Sequence, residues 1–299
     1  MRNAFADAFC DAAKEDERLA MVVADITATG PIVQFREQHP KRFVNTGVAE
    51  QIMIGMCGGM AMRGLKPFAY TIATFAMFRP YEFVRDDLCY QNLPVTVVGV
   101  GGGVAYSQLG GTHHAMEDVA LACALPGMRV IAPCDPLETA AATRWCAKQE
   151  DGPVYLRLGK AGEANISEAA PQPWQFGKVR TLRGGREACV IGYGPILKLA
   201  MEATQGQDVA VVSVATLKPL DTEGLGTILL RYPLVVVLEE MVERGGLGQA
   251  VRALAYQLGA RCKVEHVHLK DKFIHTYGSH ADVLAAHRIT VEAIKEKLL

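Results

Sequence analysis

No two cysteines stand at the short spacing of a zinc or redox motif; the eight are scattered at Cys10, Cys57, Cys89, Cys123, Cys134, Cys146, Cys189 and Cys262, mostly within apolar runs. That argues against a metal ribbon or a disulfide framework and for free, buried thiols. No residue is singled out as a metal ligand. Neither sign of charge is in excess, since 31 Lys and Arg against 32 Asp and Glu give a formal net charge of -1. With no basic cluster interleaved with aromatics, nucleic acid is not an expected partner. The start, Met1 to Phe9, reads as an amphipathic helix rather than a charged segment leading into a long apolar one. Neither a signal peptide nor a membrane span is visible, so no membrane partner is expected and the cytoplasm is the default location.

What is present is an apolar half, 50% of residues, with 21% charged and abundant glycine. This is the profile of a soluble α/β enzyme. A length of 299 residues exceeds one typical compact domain and suits two. Short apolar runs at Leu19–Ala24, Val95–Val100, Met128–Ala132 and Val154–Leu156 predict strands, and helical periods fall at about 49–63, 74–90, 115–124 and 137–149. Continuous apolar strands alternating with helices predict a doubly wound parallel sheet covered on both faces. The stretch 161–185 has no sustained period and is rich in Pro and Gly, which predicts a linker with a short hairpin. Beyond it, strands at Ala188–Ile191, Val209–Val214 and Leu234–Leu238, with helices near 194–205, 246–258 and 281–298, predict a smaller α/β domain over 186–299.

Three segments carry polar or aromatic side chains in patterns that could do chemistry. In Asn45-Thr-Gly-Val-Ala-Glu50, an acid opens an apolar, Gly-rich helix. Favourable placement at a helix N-terminus alone would explain Glu50. Thr74-Phe75-Ala-Met-Phe78-Arg-Pro-Tyr81 sets aromatics three apart, which by itself is the mark of a core stripe. Val100-Gly-Gly-Gly-Val-Ala-Tyr-Ser-Gln-Leu-Gly110-Gly-Thr-His113-His114 is a glycine-rich loop after a strand, at the end of the sheet where α/β folds bind ligands. His113 is its site candidate and His114 is read as solvated.

In their order along the chain these segments resemble the transketolase family, whose pyrimidine-binding domain carries a Gly-x-x-Glu run, a Thr-Phe-x-x-Phe-x-x-Tyr helix and a Gly-x-Thr-His run. Here they stand as Gly47-Val-Ala-Glu50, Thr74 to Tyr81 and Gly110-Gly-Thr-His113. Leu217-Lys-Pro-Leu-Asp221, Glu239-Glu240 and Gly245-Gly-Leu-Gly248 resemble the family's C-terminal domain. The resemblance covers nearly the whole chain. It implies a pyrimidine-binding domain of the thiamine diphosphate fold at 1–160, a linker at 161–185 and a transketolase C-terminal domain at 186–299.

The resemblance further implies that thiamine diphosphate is the cofactor, with Glu50 against its aminopyrimidine and Phe75, Phe78 and Tyr81 around that ring. Asp25, at the end of Val-Val-Ala-Asp25-Ile, is placed near the thiazolium. Glu50 and His113 become the catalytic pair, and His113, Lys160, Arg157 and Thr29 the substrate contacts. Departures are visible: Leu109 replaces an acid of the sugar-phosphate enzymes, and Gly101 replaces a basic or imidazole phosphate ligand. Lys160 keeps a cation where the family has a phosphate-binding arginine, so a phosphorylated or otherwise anionic ketose is expected.

The family's Gly-Asp-Gly motif, which holds the diphosphate through Mg²⁺, is missing. That implies a split enzyme, in which a partner N-terminal subunit supplies the diphosphate domain and this chain pairs with its own copy in an α2β2 assembly. The function so implied is transfer of a two-carbon ketol unit from a ketose to an aldose acceptor. Two alternatives stand beside it: the β subunit of a 2-oxoacid dehydrogenase, and a non-catalytic α/β interaction subunit.

Overall fold

The computed structural model describes residues 1–27 and 30–299. The first part of the chain runs α1 (Arg2–Glu15), β1 (Leu19–Val23), α2 (Gly30–Gln38), β2 (Phe43–Asn45), α3 (Glu50–Met62), β3 (Lys66–Ile72), α4 (Ala73–Met77), α5 (Tyr81–Phe83), β4 (Thr96–Val100), α6 (Asp118–Ala124), β5 (Arg129–Ile131), α7 (Pro136–Lys148) and β6 (Val154–Leu158). The second runs β7 (Arg180–Arg183), β8 (Ala188–Gly192), α8 (Leu197–Ala203), β9 (Val209–Ser213), β10 (Thr216–Lys218), α9 (Thr222–Arg231), β11 (Leu234–Val242), α10 (Leu247–Leu258), β12 (Lys263–Leu269), α11 (His280–Ala286) and α12 (Val291–Leu298). Among the described residues no helix is long and apolar enough to cross a membrane.

The first sheet has seven strands in the order β10-β5-β6-β4-β3-β1-β2, parallel except for β10. β1, β4 and β6 are buried along their whole lengths, as sheets covered on both faces require. One face packs on an aromatic cluster in which the Phe5 ring lies 5.4 Å from Tyr70 and Phe9 lies 5.0 Å from Phe68. β3 escapes prediction because it opens on Lys66-Pro67, two residues that disfavour an interior strand. Pro67 is tolerated near the strand's first residue, and the buried Lys66 ammonium lies 3.2 Å from Glu150.

The helix predicted over 74–90 is broken. α4 ends at Met77, α5 starts at Tyr81, and a π-helical run covers Val84–Cys89. Pro80 lacks an N–H and its ring clashes with the preceding turn, so the helix cannot run through it. The break leaves Arg79 on a turn rather than on a helix face. The final helix of the prediction is likewise two, α11 and α12, each with its own N-cap at Ser279 and Thr290.

The second sheet orders its strands β12-β11-β8-β9-β7, with β7 antiparallel to β9. β7 falls inside the stretch predicted as linker, where a single short edge strand takes the place of the expected hairpin. The two sheets are stitched together. β10, from the second half of the chain, adds an antiparallel edge to β5 of the first sheet, and Lys218 Nζ donates to the carbonyls of Cys123, at 2.8 Å, and Leu125. Asp135 caps α7 through the Glu138 amide and also takes the Ile166 and Ser167 amides, pinning the connecting segment to the first domain.

Candidate functional site

The parallel strands β1, β2, β3, β4 and β6 end at one rim of the first sheet, and the segments that follow them carry Asp25, Glu50, Phe75, His113 and Lys160. Glu50 opens α3 and is buried at 2% exposure, so a favourable helix end alone does not describe it. Arg79 Nη1 donates to both of its carboxylate oxygens, each at 3.0 Å. The same guanidinium lies over the Phe75 ring, 4.2 Å from its centroid. The Phe75 ring meets His113 edge-on at 5.1 Å, and His113 in turn lies 6.2 Å from Tyr106. Lys160 Nζ stands 5.0 Å from the Tyr106 centroid. A continuous path therefore runs from Glu50 through Arg79, Phe75, His113 and Tyr106 to Lys160.

The other expected contacts are distributed differently. Phe78 and Tyr81 are half-buried and pack against the edge of the core, and the Tyr81 hydroxyl donates to the Leu121 carbonyl at 3.0 Å. Asp25 is exposed, with φ +48, and its amide donates to Asn45 Oδ1. Thr29 lies outside the described residues. Arg157 is buried: Nε donates to Asp118 at 2.8 Å, and Nη2 donates to the carbonyl of Glu240 at 3.0 Å. Only Nη1 lacks a hydrogen-bond partner among the described residues. Arg157 belongs to the wall of a cavity of about 570 Å³ between the two sheets, which Gln108, Lys160, Lys198 and His280 also line and Glu50 does not. His114, read as solvated, is buried at 3% exposure, because the loop folds back through the Gly103–Ala115 bridge.

Glycines 101 to 103 are spacers for this packing. Gly101 has φ +73, and a Cβ there would meet the Tyr106 ring at 2.2 Å; at Gly103, φ +68, it would meet the Glu240 carboxyl at 2.4 Å. The close approach lets Glu240 accept the Val104 amide at 2.7 Å across the domain boundary. Burial pushes the Glu240 carboxyl up, but His280 beside it and the Val104 amide outweigh that and hold it below the usual range.

Burial, then the facing Arg79, hold the His113 imidazole below its ordinary pKa, so it stays neutral near pH 7. Thr112 Oγ1 lies 2.9 Å from its Nδ1 and steadies the ring. Replacing Arg79 with Leu removes the second of these causes. The expected outcome is an upward shift of the His113 titration followed by NMR, with burial still keeping it under the free-histidine value.

Two residues of this path do not stand out in the sequence, Arg79 and Tyr106. Each lies inside a motif quoted above, and for Arg79 the adjoining Pro80 was the available signal that the helix face would not continue.

Residues 1–162 match the family described as the transketolase pyrimidine binding domain, and residues 177–294 match the transketolase C-terminal domain. The chain is 31% identical over 255 residues to one of the subunits of the apulose-4-phosphate transketolase of Phocaeicola vulgatus, covering 84% of this chain and 81% of that one. It is 30% identical over 305 residues to a putative transketolase C-terminal section of Methanocaldococcus jannaschii, covering 100% and 95%. A solved split-gene transketolase, an inactive beta4 tetramer, superposes with TM-score 0.86 at 30% identity, covering 99% of this chain and 96% of that one. The chain belongs to the transketolase family.

Proposed function

We propose that this chain is the pyrimidine-side subunit of a split, thiamine diphosphate-dependent transketolase, which moves a two-carbon ketol unit from an anionic ketose to an aldose. The observation that carries the reading is the Glu50–Arg79–Phe75 stack. A planar group bearing N–H donors already sits between a buried carboxylate and an aromatic face, where a flat aminopyrimidine needs the same two partners. Arg79 is 43% exposed, so on leaving Glu50 its guanidinium returns to water. A ligand can therefore displace it, so the residues present fit the group.

The bound cofactor would supply the carbanion chemistry and the electron sink. Glu50 would orient the aminopyrimidine by hydrogen bonding to its ring nitrogen. Phe75 would form one wall of the slot and exclude water. Neutral His113 would accept a proton from a substrate hydroxyl or return one, and Lys160, beyond the Tyr106 ring, would hold the anionic end of the sugar.

With no Gly-Asp-Gly run, the diphosphate and Mg²⁺ would be held mainly by an N-terminal partner subunit. Val48 just before α3 and Ile52 and Met56 on it are exposed apolar side chains near Glu50, Val48 at 70% and Ile52 at 60%, and Phe83 packs beside the same helix at Gly55. Such a surface fits a covering subunit, whether that partner or a second copy of this chain in α2β2. The similar split-gene β chains form an inactive tetramer, in keeping with a chain that needs its partner.

Calorimetry with thiamine diphosphate and Mg²⁺, with and without a Gly-Asp-Gly-bearing partner, tests the reading together with a sugar transfer assay. Binding and ketol transfer only in the complex are expected. Lipoamide-dependent acyl transfer would instead assign the 2-oxoacid dehydrogenase role, and an absence of cofactor binding in the complex would leave a non-catalytic interaction subunit.

A further inference from the structure

The outer edge of the second sheet carries a cluster that the proposed chemistry does not use. β12 is that edge, and His266 and His268, two residues apart, project from the same side of it. Their ring centroids are 4.4 Å apart. Glu243 follows the end of the neighbouring strand β11, and one ligand atom from each of the three residues lies within 4.8 Å of the others.

Hydrogen bonding fixes which nitrogens are free. His266 Nε2 lies 2.7 Å from Glu239 Oε1, a fully buried carboxylate that also takes the Leu247 and Gly248 amides and the Tyr193 hydroxyl. A carboxylate holding so many donors acts as the acceptor, so Nε2 carries the proton, and in the neutral imidazole Nδ1 carries a lone pair. That Nδ1 is buried and has no partner among the described residues. His268 Nδ1 lies 2.8 Å from the Leu269 carbonyl oxygen, which can only accept, so its Nε2 also keeps a lone pair. Glu243 binds Arg252 through Oε1, and Oε2 has no partner among the described residues. Gly248 makes room for the arrangement, since a Cβ there would meet His266 Cε1 at 2.3 Å.

A histidine serving only as a core hydrogen-bond donor would account for Nε2 but would strand a buried acceptor, which is costly. We propose that His266, His268 and Glu243 bind a divalent cation of the zinc class, such as Zn²⁺, Co²⁺ or Ni²⁺, with water completing the shell. Glu239 is then the outer carboxylate that orients the His266 ring, a pairing frequent behind metal-bound imidazoles. Two imidazoles and one carboxylate suit such ions and not Mg²⁺, which prefers oxygen ligands. The ion would clamp the end of β11 to the edge strand β12, independently of the cofactor site.

The test is titration of the metal-free full chain with Zn²⁺ by calorimetry and with Co²⁺ by visible absorption. One Zn²⁺ per chain is expected, unaffected by excess Mg²⁺ and weakened roughly tenfold or more in both His268→Ala and Glu243→Gln. Glu243 is exposed at the strand end, so its variant keeps the fold and the test remains valid if His268→Ala does not fold. Unchanged Zn²⁺ affinity in Glu243→Gln, or a Co²⁺ spectrum dominated by thiolate charge transfer, would overturn the proposal.

Discussion

Glu50→Gln in the assembled enzyme should lose roughly 10²–10⁴ in turnover, the range removed with a positioned proton-transfer group, while the protein stays folded. The change keeps the shape of the side chain and its place at the start of α3. It removes the carboxyl group that Arg79 grips in the free chain and that the proposed cofactor contact requires. Because Arg79 is half open to water, its charge is solvated once the carboxylate is gone, and the Gln amide oxygen still accepts from it. Circular dichroism and thermal melting should therefore match the wild type, and calorimetry should show weaker cofactor binding in the complex. Wild-type turnover in this variant would remove Glu50 from the mechanism.

Arg157→Met is expected to act on stability instead. Asp118 and Arg157 are 0% and 4% exposed, and the Tyr155 hydroxyl shares the same carboxylate oxygen at 2.7 Å. Deleting one partner of a buried pair typically costs about 3–5 kcal/mol, because the other charge is left unpaired. For a chain of this size that corresponds to a fall in Tm of roughly 6–15 °C. Replacing both residues, as Asp118→Leu with Arg157→Met, should recover part of the loss, since a buried pair exchanged for apolar groups is often close to neutral. A single variant with wild-type Tm but a raised KM would show instead that Arg157 serves mainly as a substrate contact, the role expected from its place in the sequence.

Local signals were the legible ones. Glu50, the Phe75 segment and the Gly110–His113 run each lie within a short stretch, and buried parallel strands such as β1 and β4 announce themselves as unbroken apolar runs. What failed to show depends on residues far apart in sequence. Arg79 meets Glu50 across 29 positions because Pro80 ends a helix that periodicity would have continued. Arg157 reads as a free cation in the sequence because Asp118, its partner in the fold, stands 39 residues earlier. β3 was hidden by Lys66, whose charge is neutralised within the fold. His266 and His268 drew no notice, since two histidines on a strand mean little until Glu239 fixes the protons.

The antiparallel strand that the second half of the chain lends to the first sheet bears on modularity. A fragment ending at residue 160 would keep the parallel strands but leave the β5 backbone edge bare. It would also lose the lysine that caps two carbonyls at the C-terminal end of α6 and the carboxylate that orders the glycine-rich loop. An uncovered edge of that kind invites self-association. The boundary drawn by sequence families is thus not a seam along which the protein can be cut, and the candidate rim depends on the half of the chain that carries none of its expected chemistry.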